Sequence, residues 1–517
     1  MNLDSQPSSR LNGSTELKRF VCDLAQQLPC FKARAQDIQI IKKPNEFYQT
    51  LLDMISKARH RIFIASLYIG KEEHELITAL HRSLKSTPTL HLTIVVDCLR
   101  STREDPQPSS GSILASLKTE FPNQVEIALF HTSELFGWRK SWIPRRFDEG
   151  WGLQHMKVYG VDDHLIMSGA NLSHDYFTNR MDRYIKISNH SLLADYFHEL
   201  CKTTAQLSYT IDPNSTPTNL SFSWPKNHDL QRPDHSKLTS TKFKTTGHHK
   251  YQSLTQKWKT LTSDSTAFDS QDSKVYIFPV LQIGPFEIRQ ETRLVVPELI
   301  RLANTLETLT DGCKVRLDWT SGYFSILRDY KRMLLESNLN VSITSASPEA
   351  NGFYQSKGVS KYIPDAYTYL ESLFYQDIIK ARKQDQIQIR EWIKEGWTYH
   401  AKGIWLSRIC NPNPSADIPT DSTHLNSNRS ISNEFEPFLT MIGSSNYGRR
   451  SAERDLECNL LIIDETEEKG VSNQLTEELT GLRKNATGLV CEDWFEGDGR
   501  QVGLGVKLAT RLIRNML

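Results

Sequence analysis

The chain has 517 residues, enough for more than one domain with a sizeable core, and its 62 Lys+Arg against 61 Asp+Glu leave no overall field to draw it to nucleic acid. No run approaches the roughly 18 apolar residues of a membrane span, so any membrane contact is expected to be peripheral. Eight cysteines without a Cys-x-x-Cys pair argue for a reduced compartment rather than a disulfide or zinc framework.

In chain order, residues 1–35 read as an N-terminal segment with neither the apolar core of a secretory signal nor the composition of a good transit peptide. The spacing then predicts a buried strand at 61–69, a helix at 76–84, and strands at 90–97 and 125–130. The run 138–146 mixes Trp138 and Trp142 with Arg139, Lys140, Arg145 and Arg146; it suits an anionic surface, a nucleotide or plain solvent. His155-Met156-Lys157 follows at the start of a strand, then Asp162 and Ser168-Gly169-Ala170-Asn171. Residues 210–272 are rich in Ser, Thr, Asn, Pro and Lys with little apolar periodicity, and are expected to form a linker or mobile insertion.

The same order then recurs. A strand is expected at 315–320, a helix at 327–335, and strands at 341–344 and 387–392. His400-Ala401-Lys402 comes next, then a polar mobile loop at 411–434 and Gly443-Ser444-Ser445-Asn446. In each copy an acid lies 11 residues beyond the Asn, Asp182 in the first and Glu457 in the second. Alternating β and α elements predict two α/β units, at 36–209 and 273–497, each a sheet covered by helices. A C-terminal helix is expected within 498–517, with Leu508, Leu512 and Ile513 on one face; it reads either as an interfacial helix or, the preferred reading, as one packed on the protein's own core.

Residues two apart on a strand share a face, so each His-Lys pair can address one pocket. An imidazole can attack phosphorus or move a proton near neutral pH. A neighbouring lysine supplies positive charge to phosphoryl oxygens, and Asn171 and Asn446 add neutral donors. Asp182 and Glu457 can take the second imidazole N–H, and are expected to orient His155 and His400 respectively, each within its own copy. Such a set calls for no metal and no cofactor. Gly352-Phe353-Tyr354-Gln355-Ser356-Lys357-Gly358 is either a phosphate cradle, using Gly352, Tyr354 and Lys357, or a surface turn.

These residues resemble the phospholipase D superfamily, and within it most nearly the eukaryotic CDP-diacylglycerol–glycerol-3-phosphate 3-phosphatidyltransferase family. The strings that carry the likeness are RIFIASLYIG (61–70), GLQHMKVYG (152–160), SGANLSHDYFTNRMDRY (168–184), ANGFYQSKG (350–358) and YHAKGIWL (399–406). Two departures stand out. The first copy has Ser168-Gly169 where the superfamily has Gly-Ser, and the second has Ser407 where an Asp would fall. Asp162 belongs to the signature, but its odd offset from His155 makes it a structural brace.

The resemblance implies two phospholipase D-like halves, each a mixed sheet flanked by helices, with the active site at their interface. It implies a double displacement from CDP-diacylglycerol to glycerol 3-phosphate, with His155 as nucleophile and His400 as general acid/base. Lys157, Lys402, Asn171, Asn446 and Ser444 would hold the phosphate. It further implies an anionic membrane surface as partner, no nucleic acid, and the matrix side of the mitochondrial inner membrane. A phospholipase D-type phosphodiester hydrolase is the alternative on the same scaffold. Both intact His-Lys pairs argue against a catalytically silent binding module.

Overall fold

A computed structural model describes residues 7–513 apart from 105–107, 138–139, 141, 144–147, 217, 226–229, 264–273, 310–313, 410–434, 467–469 and 498–499. The polar loop at 411–434 therefore lies outside the described residues, as does most of the aromatic-basic run at 138–146. Of that run, Trp142 is exposed and Lys140 pairs with Asp234 at 2.6 Å.

Two mixed sheets carry the molecule. In the first, Val125–Phe130, His91–Asp97 and Arg61–Ala65 run parallel, and Val158–Val161, His164–Ser168, Tyr184–Ile187 and Ile38–Ile41 continue antiparallel. The second repeats the plan. Ile387–Trp392, Asn340–Ala346 and Lys314–Ser321 are parallel, followed antiparallel by Lys402–Ile409, Glu436–Gly443, Leu456–Asp464 and Val275–Ile283. The parallel strands are joined by covering helices, His74–Ser86 in the first half and Arg328–Glu336 in the second. Both lie close to the helices read from the sequence. The expected strand at 61–69 stops at Ala65, and the chain then turns so that Leu67 and Tyr68 reach the cleft described below.

Each sheet's Asn-and-acid segment leads into a helix, Ser191–Ala205 in the first half and Gly470–Arg483 in the second. Both bury their apolar faces in the core cluster between the sheets, where Phe63, Val158 and Ile185 of one sheet share a cluster with Trp405, Leu460 and Ile462 of the other. The N-terminal segment crosses between the halves: Phe31–Ala33 pairs with Val275–Ile283 of the second sheet, and four residues separate it from Ile38–Ile41 of the first. Two further apolar clusters lie on the outer faces.

Within the expected linker, Lys237–Ser263 is a 27-residue α-helix. Its buried positions include Phe243, Gly247, Tyr251, Leu254 and Trp258, a helical spacing of three and four. The stripe escapes a reading of the sequence because it is one residue wide, and its middle turn carries Gly247, against which the Phe286 ring packs. The C-terminal helix Leu504–Ile513 also departs from expectation: Leu504, Leu508 and Leu512 face solvent while Thr510 is buried. The six described cysteines are free thiols, and no described helix is long and apolar enough to cross a membrane.

Candidate active site

Both histidines sit just ahead of a strand, His155 before Val158–Val161 and His400 before Lys402–Ile409. Their backbones are tied to the opposite half. His155 N donates to Leu456 O at 3.0 Å, and Leu456 N returns a bond to Leu153 O at 2.8 Å. His400 N donates to Met181 O at 2.8 Å, and Thr398–Tyr399 pairs in parallel with Arg180–Met181. The residue after each accepting carbonyl is the acid of that half.

The acids are consequently exchanged. His155 Nδ1 is 3.0 Å from both oxygens of Glu457, and His400 Nδ1 is 2.7 Å from Asp182 Oδ2. This overturns the expectation that Asp182 serves His155 and Glu457 serves His400. The reason is topological: within a half, a whole strand separates the histidine's strand from the acid's, a gap of about 9–10 Å for two strand spacings. Only the facing half can bring a carboxylate within hydrogen-bond reach.

Burial first, and the neighbouring Lys157 and Lys402 ammoniums next, push both imidazoles well below their ordinary range. Each ring is therefore neutral at rest. With Nδ1–H donated to a carboxylate, the Nε2 lone pair of His155 is left to react, whereas that of His400 meets Lys402 Nζ at 3.0 Å and the Tyr176 hydroxyl at 3.3 Å and must exchange those contacts to take a proton. Burial raises Glu457, and raises Asp182 to about 6. Burial also lowers Lys157 to about 7 and Lys402 to about 8. The two lysines lie beneath the rings: Lys157 Nζ donates to His155 O at 2.6 Å, and Lys402 Nζ donates to His400 O at 2.8 Å.

His155, His400, Asn171 and Asn446 line one cleft of about 270 Å³. Asn171 Oδ1 accepts from Leu67 N at 3.3 Å, and its Nδ2 donates to the Tyr176 hydroxyl, itself 3.3 Å from His400 Nε2. The Asn446 side-chain oxygen is buried without a partner among the described residues. The wall adds side chains that the sequence reading missed: Arg100, Arg103, Arg180 and Arg450, with Tyr68, Tyr176, Tyr323 and Tyr367. Arg180 carried a signal, since it lies two residues before Asp182 and so on the same side of an extended chain. The others come from segments whose convergence no local pattern announces.

Four expected site residues fall elsewhere. Ser444 donates its hydroxyl proton to Glu457 and accepts from Cys458 N at 3.1 Å, so it holds the carboxylate and does not line the cleft. Asp162 sits at φ +50° in the two-residue turn between Val158–Val161 and His164–Ser168, accepting from the backbone N–H of Arg59, His60 and Arg61 at 2.9, 2.8 and 3.0 Å. It is a brace. The second copy has no such turn at this point, because its strand runs on through Ser407 to Ile409. Of the 352–358 loop, Gly352 and Phe353 reach the cleft, whereas Tyr354 and Lys357 are exposed outside it. A Cβ on Gly352 would stand 2.9 Å from the Tyr323 hydroxyl and 3.3 Å from Arg180 Nη2, so its glycine makes room for both.

His155, Asp455 and Glu457 bring ligand-type atoms within 4.8 Å of one another. Their oxygens already accept from Leu153 N, Arg450 Nε, His155 and Ser444, and the Arg450 guanidinium 3.1 Å from Asp455 opposes a cation there. The cluster fits a proton-donor network better than a metal centre. A larger cavity of about 490 Å³, beside the N-terminal helix Pro7–Ala25 and lined by Lys18, Cys30 and Tyr276, contains none of the two-fold set.

Two neutral imidazoles on one cleft, each held at Nδ1 by a carboxylate from the opposite half and backed by a lysine, define a phosphoryl-transfer enzyme with a duplicated His-x-Lys site. No family model matches the chain. Over 497 residues it is 36% identical to the CDP-diacylglycerol–glycerol-3-phosphate 3-phosphatidyltransferase of Saccharomyces cerevisiae, covering 94% of this chain and 89% of that one. It is 37% identical over 474 residues to the protein of that name from Schizosaccharomyces pombe (85% and 87% covered). It is 33% identical over 509 residues to the Gallus gallus protein, whose name adds "mitochondrial" (94% and 85% covered). The chain belongs to the CDP-diacylglycerol–glycerol-3-phosphate 3-phosphatidyltransferase family. Its fold is also that of the phosphatidylserine synthase of Haemophilus influenzae Rd KW20, with a TM-score of 0.64 at 18% identity over 97% of this chain and 99% of that one.

Proposed function

We propose that this chain transfers the phosphatidyl group of CDP-diacylglycerol to glycerol 3-phosphate, forming phosphatidylglycerophosphate and CMP. The exchanged His–carboxylate pairs on a single arginine-lined cleft carry the reading, together with the family. His155 Nε2 attacks the phosphatidyl phosphorus, the bond to the CMP phosphate breaks, and a phosphatidyl-histidine remains. CMP leaves as a phosphate and needs little help from an acid. The sn-1 hydroxyl of glycerol 3-phosphate then attacks, His400 takes its proton, and the N–P bond to His155 breaks.

Relative exposure supports this division: the His155 side chain is 11% exposed and that of His400 is 5%. Lys157, Lys402, Asn171 and Asn446 stabilise the phosphoryl oxygens, and Arg100, Arg103, Arg180 and Arg450 offset the charge of two phosphate-bearing substrates. The acceptor is a small anion and the donor a lipid, so the enzyme works peripherally on an anionic membrane surface. The name of the Gallus gallus relative favours the mitochondrion, and the matrix side of the inner membrane is the compartment assigned here.

CMP release from CDP-diacylglycerol, followed in chelator with and without glycerol 3-phosphate, tests the reading. Strong acceptor dependence and a phosphatidylglycerophosphate product are expected. Equal turnover to phosphatidic acid without acceptor would make the chain a hydrolase instead.

A further inference from the structure

The cleft is smaller than the proposed donor. Its volume of about 270 Å³ lies below the roughly 300–1,000 Å³ of pockets that enclose a drug-sized ligand. It can take a phosphoryl group and its polar neighbours, while two acyl chains must stay outside.

One edge of the molecule is built to receive them. Gly352 and Phe353 line the cleft, and the chain then runs outward through exposed Tyr354, Val359, Lys361 and Tyr362 into the helix Ile363–Lys380. On that helix Tyr367 faces the cleft. Tyr369, two residues on and so on the far side, receives the C-terminal helix Leu504–Ile513. Arg511 Nε donates to the Tyr369 hydroxyl at 2.9 Å, and the Lys507 ammonium lies 5.9 Å from the same ring. The C-terminal helix is therefore seated about one helix diameter, ~10 Å, from the cleft wall.

It is seated by its polar side. Leu504, Leu508 and Leu512, four residues apart on one stripe, are 78%, 62% and 84% exposed. An ordinary surface helix turns such a stripe inward. The two segments themselves carry charge of one sign: Leu504–Ile513 holds Lys507 and Arg511 with no acid, and residues 354–362 hold Lys357 and Lys361 with no acid, while Glu349, Asp365 and the acids of Glu492–Glu496 lie outside them in the chain. In a chain whose charges otherwise balance, that is a local cationic rim around an apolar stripe. Two copies meeting through this edge would set cations against cations, whereas anionic lipid headgroups complement it.

We propose that the C-terminal helix and the 354–362 segment form the surface by which this protein docks on an anionic phospholipid bilayer. The leucine stripe enters the acyl boundary and the cations meet lipid phosphates. The donor's acyl chains then never leave the membrane while its pyrophosphate reaches His155. The identity of the lipid substrate rests on the function proposed above; the docking does not.

Flotation of the full chain with phosphatidylcholine vesicles, with and without phosphatidylglycerol, tests docking directly. The triple variant Leu504→Ser, Leu508→Ser, Leu512→Ser removes only exposed side chains. Its partition onto phosphatidylglycerol vesicles should fall about 100-fold or more. Turnover of vesicle-embedded CDP-diacylglycerol should fall with it, while turnover of a soluble short-chain CDP-diacylglycerol stays at the wild-type rate. Unchanged flotation of the triple variant overturns the proposal. So does a wild-type dimer that the variant dissociates with flotation unaffected, because the stripe would then join two copies. A wild-type chain that floats but turns over neither substrate counts against the phosphatidyl-transfer reading, not against docking.

Discussion

His155 Nδ1 lies 3.0 Å from both carboxylate oxygens of Glu457, a residue 302 positions away in the other half of the chain. The reciprocal contact, His400 to Asp182 at 2.7 Å, spans 218 positions. Each histidine thus depends on a carboxylate that its own half does not supply, and neither half contains a complete catalytic pair.

The exchange predicts which half-reaction each acid controls. Glu457→Gln should slow the first-turnover burst of CMP, because His155 loses the carboxylate that stabilises it as positive charge develops. Asp182→Asn should leave that burst and slow resolution, so that a phosphatidyl-histidine accumulates. Each effect should be about 10²–10⁴-fold, read by rapid quench with recovery of the acid-labile, base-stable adduct. An adduct that accumulates in Glu457→Gln and not in Asp182→Asn would reverse the assignment of the two histidines.

The pH profile of kcat/KM should be a narrow bell. Asp182, raised to about 6 by burial, is protonated below that pH and cannot take the His400 N–H, so activity is lost as pH falls through about 6. Lys157 and Lys402, lowered by burial to about 7 and about 8, shed their charge above those values, so activity is lost again as pH rises. The two limbs belong to the coupled cluster as a whole. In Asp182→Asn the acid limb should weaken in the residual rate, leaving the part that Glu457, also raised by burial, contributes, measured across pH 5 to about 9.

Asp162 should matter for stability and not for chemistry. Asp162→Ala removes the acceptor for three backbone N–H groups and leaves a non-glycine residue at φ +50° without local support. The expected loss is about 1–3 kcal/mol in a denaturant titration. Asp162→Asn should lose less, since Asn tolerates that backbone conformation and keeps an oxygen acceptor. In both variants kcat per folded molecule should stay at the wild-type value; a fall of more than tenfold would return Asp162 to the catalytic set.

Arg183, next to Asp182, locks the halves together. It is fully buried, donates through Nε and Nη2 to Glu478 at 2.9 Å, reaches Met441 O at 3.0 Å and stacks 3.7 Å from the Trp405 ring. Arg183→Ala leaves Glu478 buried without its cation, retaining the Trp405 indole N–H at 3.1 Å, and should destabilise the fold by about 3–5 kcal/mol. Gly403→Ala should be comparably harmful, because its φ is +153° and the new Cβ would fall 1.8 Å from Arg183 Nη1. Thermal unfolding of both variants, with a midpoint unchanged from wild type as the contrary result, checks this.

Much of the fold was legible. The strands at 90–97, 125–130, 341–344 and 387–392 are found within a residue or two of where the apolar runs place them, because buried parallel strands demand continuous β-branched and apolar residues. The helix Lys237–Ser263 was not, since its buried stripe is narrow and interrupted at Gly247. The arginines of the cleft were hard to foresee for a different reason. Arg100 and Arg103 share one short segment and Arg450 lies on another far from it in the chain, and nothing in their own surroundings distinguishes them from solvated cations.

By itself, the sequence singled out a two-fold set of histidines, lysines and asparagines, whose histidines and asparagines line one cleft, because such a set depends on residue type and local spacing. It also determined the α/β repeat, because strand and helix periods are local. Only the tertiary structure decided that each acid serves the other half's histidine, that Ser444 and Asp162 hold structure rather than substrate, and that the terminal leucines face outward. Those relations depend on which strands are neighbours and which helix face is already occupied, and a separation of 302 residues leaves no trace of either in the spacing.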